Sequence, residues 1–136
     1  MMQTKFILSV EQTKKILAAA EQHAQQNNWN VAIAIVDDGG HLLAFSRGNQ
    51  TSAMTVDIAI AKANAAAIAR RETKQFEEMI NQGRTAFLSV PTIQGMLEGG
   101  VPITIEDQIV GAVGVSGVAS QHDAEIAKAG CAALKE

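Results

Sequence analysis

One cysteine, one tryptophan, two prolines and no tyrosine occur in the 136 residues of this chain. The lone Cys131 excludes an intrachain disulfide and any cysteine-based zinc site, and it fits a reducing compartment. Aromatic residues amount to 4%, too few for a nucleic-acid platform of stacked rings. A net charge of -3 gives no pull toward phosphate backbones or anionic membranes. No apolar run approaches the ~20 residues of a membrane span. Phe6-Ile7-Leu8 is too short for the apolar core of a signal peptide. These absences predict a cytoplasmic protein that engages neither nucleic acid nor membrane. What is present is a globular balance, 47% apolar and 18% charged. A chain of this length predicts a single domain over 1–136 with its own core.

Ser9 and Gln12 form a capping-box pattern, and Ile16, Leu17, Ala20 and Ala24 recur at helical spacing. A first helix is therefore expected to about Asn27. Val31–Val36 reads as a strand, Asp37-Asp38-Gly39-Gly40 as a tight turn and His41–Phe45 as the returning strand. After Thr51-Ser52 an alanine-rich helix runs to about Ala69, its small side chains suited to close packing on a sheet or a second subunit. Thr73 begins a shorter helix, and Ala86–Val90 is expected to be a short strand closed by Pro91. Val101–Ile105 and Ile109–Ser116 form a second hairpin around Glu106-Asp107-Gln108. Ser120 starts the last helix, with Asp123 as its capping-box partner. Two hairpins separated by helices predict an α+β fold with a central antiparallel sheet. The alanine-rich helix, and a last strand apolar on both faces, predict a homo-oligomer, because a small monomer does not easily cover both.

The chemistry-bearing residues are few. Gly111-Ala-Val-Gly-Val-Ser-Gly117 is neither a dinucleotide fingerprint nor a phosphate loop, and its glycines mark close approach of a backbone or a flat ligand. Gly99-Gly100 is open to two readings, a loop needing positive φ or a ligand rim with unobstructed N–H donors. His23 lies at the edge of the first helix's apolar stripe. It is either a partly buried structural imidazole or an axial ligand for haem iron. His41 is expected on an exposed strand, and His122 at a helix start, where a cationic ring is disfavoured. Lys62 interrupts the alanine stretch and either snorkels to solvent or reaches a ligand carboxylate such as a haem propionate. Ser116 is expected at the surface, and Cys131 as a packing residue. No helix carries an E-x-x-E pair, and no G-x-S-x-G elbow is present.

Val36–Phe45 (VDDGGHLLAF), Lys62-Ala63, Glu98–Ile103 (EGGVPI) and Ile109–Gly117 (IVGAVGVSG) together resemble the GlcG/HbpS-like family, in order and over essentially the whole chain. The resemblance implies a profilin-like α+β fold and homo-oligomers from dimers to octamers. It also implies kinship with domains fused to cobalamin adenosyltransferases. Members are described as haem-binding or haem-degrading, and they occur beside glycolate, propanediol and glycerol utilisation genes. The family's haem-ligating histidine lies in the first helix, where His23 stands; His122-Asp123 stands where Gln-Asp is commoner. The expected function is haem sensing, storage or degradation. The alternatives are an accessory protein of glycolate, diol or glycerol catabolism that binds a small metabolite or corrinoid, and a pure assembly module. The expected haem site combines His23 on the iron, a wall from Ile16, Ala20 and the glycine-lined strand, and propionate donors from Lys62, Gly99 and Gly100.

Overall fold

The computed structural model describes residues 1–135. Helix α1 spans Val10–Gln26, β1 Ala32–Asp37, β2 Leu42–Arg47, α2 Ala53–Ala69, α3 Thr73–Asn81, β3 Gly100–Ile105, β4 Gln108–Ser116 and α4 Ser120–Ala132. The four strands form one sheet in the order β2-β1-β4-β3, and every pairing is antiparallel.

Capping starts α1 as the sequence predicts. The Gln12 N–H donates to Ser9 Oγ at 3.1 Å, and the Ser9 N–H donates to Gln12 Oε1 at 2.9 Å. The helix buries Ile16, Ala20 and Ala24. With Ile126 and Ala127 of α4 they cover one sheet face, against Ile33, Ile35, Val113 and Val115. The opposite face is thinner: Ala32, Ala34, Val36 and Ala112 meet Ala59, Ala63, Ala66 and Ala67 of α2. Glycine lets α2 come this close. A Cβ at Gly114 would lie 2.2 Å from the Ala59 carbonyl oxygen and 2.4 Å from the Ala63 nitrogen.

Each hairpin has its own turn chemistry. Glu106 and Asp107 both adopt positive φ, 46° and 66°, as a two-residue turn that matches strand twist requires. In the first hairpin Asp37 Oδ1 accepts the N–H groups of Gly39 and His41, each at 2.9 Å. Partial burial raises the Asp37 carboxyl, but those two N–H donors and the His41 ring outweigh it and hold the group below its ordinary value.

Two expectations are corrected. Ala86–Val90 is not a strand: Thr85–Ser89 form a 3-10 turn, bonded Phe87 N–H to Arg84 O and Val90 N–H to Phe87 O. Phe87 there packs on Phe76 of α3 at 5.5 Å between ring centroids, a local contact that a turn satisfies without a neighbouring strand. Ala119, not Ser120, precedes α4, and Asp123 makes no capping box because its carboxylate is committed elsewhere. Within one chain α2 lies on the sheet, and β4 is an inner strand between β1 and β3.

Gly114→Ala is expected to destabilise by about 1–3 kcal/mol or more, the cost of overpacking, because backbone rather than a mobile side chain must yield; a denaturant melt measures it. For Asp37 the sign follows from a depressed folded-state value. Its stabilisation is present above the unfolded value of 3.8 and is lost as pH falls through the folded one. The stability difference between wild type and Asp37→Asn is therefore expected to shrink on acidification, as urea titrations between neutral pH and pH ~3 would show.

Candidate functional site

Close packing of α2 on the sheet determines where Lys62 goes. A Cβ at Gly100 would lie 2.4 Å from the Lys62 carbonyl oxygen, so the helix backbone presses directly on the start of β3. The Lys62 side chain runs past Gly99, whose φ of +135° and missing Cβ open the channel; a Cβ there would meet Lys62 Nζ at 2.7 Å. Nζ donates to the Val115 carbonyl at 2.9 Å and to Asp123 Oδ2 at 3.0 Å. Both side chains are 3% exposed. The other Asp123 oxygen accepts the Val118 N–H at 3.2 Å. Burial pushes the Asp123 carboxyl above its ordinary value, while the Lys62 charge and these hydrogen bonds act against that rise.

Lys62 therefore does not snorkel. Its length is spent crossing the interior, and its charge is already paired. Gly99 and Gly100 lie beside it, also buried. The Gly100 N–H donates to Thr73 Oγ1 at 2.9 Å, and the Gly99 carbonyl accepts from Val115 N–H. Of the two readings of this pair, the geometry displays the conformational one. Sequence reading brought Lys62, Gly99 and Gly100 together correctly and missed their partners Asp123 and Thr73.

His23 belongs to a second cluster. Its Nε2 lies 2.6 Å from Glu125 Oε2 of α4, and 29% of its side chain is exposed. Trp29 lies beside it at 6.2 Å between ring centroids and stacks on His122 at 4.3 Å and 15°. Trp29, His122 and Glu125 were not anticipated as neighbours of His23, since Glu125 is 102 residues away in sequence. The sole tryptophan was the one available signal. The expected haem wall is absent as a surface: Ile16 and Ala20 are fully buried beneath α1. Ser116 is also buried, contrary to expectation, because β4 is an inner strand. His41 is exposed, as expected. Cys131 packs its sulfur 3.5 Å from the Pro102 carbonyl oxygen, and burial pushes the thiol up to about 12.

Two clefts accompany these clusters, the second sharing Trp29 with the His23 group. One, of about 510 Å³, lies between α3 and the 88–97 segment and is mostly apolar, lined by Ile80, Leu88, Ile93, Met96 and Leu97 with Glu77 at its side. The other, of about 290 Å³, is polar and is lined by Glu21, Trp29, Asn30, Arg47 and Asn49. No histidine lines either one. Among the described residues no group of three or more His, Cys, Asp or Glu side chains is placed to hold a metal ion.

A variant series tests the buried pair. Asp123→Ala is expected to cost about 3–5 kcal/mol, because it strands the Lys62 ammonium. The double variant Lys62→Met, Asp123→Leu is expected to recover most of that loss, since an apolar pair needs no desolvation. Equilibrium unfolding of both variants gives the comparison.

Residues 8–132 match the family model described as haem degrading protein HbpS-like. Protein GlcG of Escherichia coli K12 is 53% identical over 115 residues, 85% of each chain. A double mutant of HbpS from Streptomyces reticuli superposes with a TM-score of 0.88 at 28% identity, covering 98% of this chain and 90% of that one. The structure of a PduOC:heme complex superposes at 0.84 over 95% and 96% of the two chains, and at 23% identity it speaks to the fold alone.

Proposed function

The chain belongs to the HbpS-like family of haem-degrading proteins, and on that premise we propose that it binds haem, with His23 as axial ligand to the iron. One observation carries this reading: the His23 ring is partly exposed and held by the Glu125 carboxylate at 2.6 Å. A carboxylate on one ring nitrogen fixes the tautomer and raises the basicity of an imidazole that ligates metal through the other. Trp29 supplies aromatic surface beside it. When bound, haem would bring a redox-active iron whose behaviour its axial ligand and surroundings tune. Lys62 and Gly100 have no part in this proposal, their polar groups being already bonded in the interior. A surface site leaves both propionates in water, where they need no buried cation. Such a site suits sensing, storage or transfer, in which ligand must come and go, better than it suits turnover.

A second reading rests on the polar cleft. Arg47 beside Asn30, Asn49 and the Trp29 ring would suit a small carboxylate-bearing metabolite, and it predicts a thermal shift with small hydroxy acids.

Titration with hemin followed by absorbance tests the haem reading. Wild type is expected to develop a shifted, saturable Soret band. His23→Ala should abolish or strongly shift that band without changing particle size. Glu125→Gln should weaken binding by about 10–100-fold, the usual cost of losing an outer-shell partner. His41→Ala and His122→Ala should leave the spectrum unchanged. A wild-type spectrum in His23→Ala overturns the assignment.

A further inference from the structure

We propose that the polar cleft between α1 and the end of β2 takes a small amino acid in its zwitterionic form, with Arg47 holding the carboxylate and Glu21 the ammonium. The inference rests on the second reading above, that this cleft receives a small carboxylate, and adds the second charge that the ligand carries.

The cleft forms where helix, turn and sheet meet. Asn28 adopts a φ of 56°, and the Trp29 N–H donates to the Ala24 carbonyl at 2.9 Å, so the chain turns sharply off α1 before it enters β1. That turn sets Trp29 and Asn30 on the cleft. Glu21 lies three residues before Ala24, on the same face of α1. The Gly48 N–H donates to the Val31 carbonyl at 2.9 Å and fixes the end of β2, which brings Arg47 and Asn49 to the same space. Ala24, Val31 and Ile33, all buried, close the floor.

The two charges are unmatched. Arg47 Nη2 donates to the Thr51 carbonyl at 2.8 Å, which steadies the side chain and leaves other guanidinium N–H groups for a ligand. The Glu21 carboxylate has no hydrogen-bond or ion-pair partner among the described residues, so no ion pair joins it to Arg47. Elsewhere on the surface opposite charges close on each other, as Lys5 does on Asp38 at 2.9 Å and Lys128 on Glu72 at 3.5 Å. Here a cation and an anion border one volume of about 290 Å³ without meeting.

This pattern selects the ligand. A carboxylate alone gains Arg47 but faces Glu21, and an amine alone gains Glu21 but faces Arg47. A molecule that carries both charges meets each with its opposite, and each contact is a charge-assisted hydrogen bond. The volume lies at the small end of ligand pockets, which suits a free amino acid. The Trp29 ring and the apolar floor accept its side chain.

Titration of the full chain with three ligands of one skeleton tests the proposal. L-Alanine carries both charges, L-lactate only the carboxylate, and L-alaninamide only the ammonium. Binding is read by calorimetry and by the emission of Trp29, the sole tryptophan, which lines the cleft. L-Alanine is expected to bind about tenfold or more tightly than either of the others, the yield of one charge-assisted hydrogen bond. Glu21→Gln should remove most of its advantage over L-lactate, and Arg47→Gln most of its advantage over L-alaninamide, both with native circular dichroism. L-Lactate or L-alaninamide binding as tightly as L-alanine overturns the proposal. So does a preference that survives undiminished in both folded variants, which places the ligand elsewhere. Binding of L-lactate with no preference for L-alanine leaves the small-carboxylate reading standing, whereas no response to either removes both. Should a variant fail to fold, the order of affinities in wild type decides.

Discussion

The distance between α2 and the sheet is the constraint on which the rest of the structure depends. Gly114 of β4 admits the Ala59 carbonyl and Gly100 of β3 admits the Lys62 carbonyl, while in the loop before β3 a Cβ at Gly95 would lie 2.6 Å from the Ala61 carbonyl carbon. Side chains of ordinary size on either surface would push the layers apart. The alanines therefore contribute less by the area they bury than by the approach they permit. That approach decides the path of Lys62. With its backbone pressed on β3, its side chain runs through the gap at Gly99 to the end of β4 and reaches α4 from inside.

The Lys62–Asp123 pair then acts as a positional device. Removing two charges from water costs several kcal/mol per ion, and their attraction repays this only when the remaining polar atoms are satisfied. Here they are: Val115 O and Val118 N–H take up the bonds that the ions do not give each other. Among the described residues no buried side-chain polar atom lacks a partner. Asp123 sits in the first turn of α4, so its bond to Lys62 sets where that helix begins and how it is rotated. His122 and Glu125 are in the same turn. Their contacts with Trp29 and His23 thus inherit their placement from a lysine on the opposite side of the sheet.

The fold was legible because its signals are local. Ser9 with Gln12, the Asp37–Gly40 turn and the Glu106-Asp107 turn each act within a few residues, and each appears where expected. Even the glycine spacing in β4 correctly foretold close approach of a backbone. The site was less legible, because its partners are distant in sequence. Nothing near Lys62 announces Asp123, and nothing near His23 announces Glu125. The misreading of Lys62 follows from the same limit: a lone lysine among alanines ordinarily reaches water, and only the tertiary path past Gly99 sends it inward. Ala86–Val90 failed for a related reason. Strand propensity cannot form a strand where no sheet edge is within reach, and Phe87 found Phe76 instead.

The arrangement of buried and exposed ionisable groups bears on the kind of chemistry this chain suits. Lys62 and Asp123 are enclosed and spend their hydrogen bonds on each other and on backbone, and Cys131 is held as a neutral thiol by burial. A reaction on a bound tetrapyrrole draws on donors that can reach the ligand and on a cavity that excludes water. His23 lies at a partly exposed surface beside Trp29, on which the His122 ring is stacked. Open access weakens the holding of a ligand but speeds its exchange, and exchange is what a sensor or carrier requires. The same geometry that encloses the charged pair in the interior thus leaves His23 partly exposed, held by Glu125 of a helix whose start that pair determines.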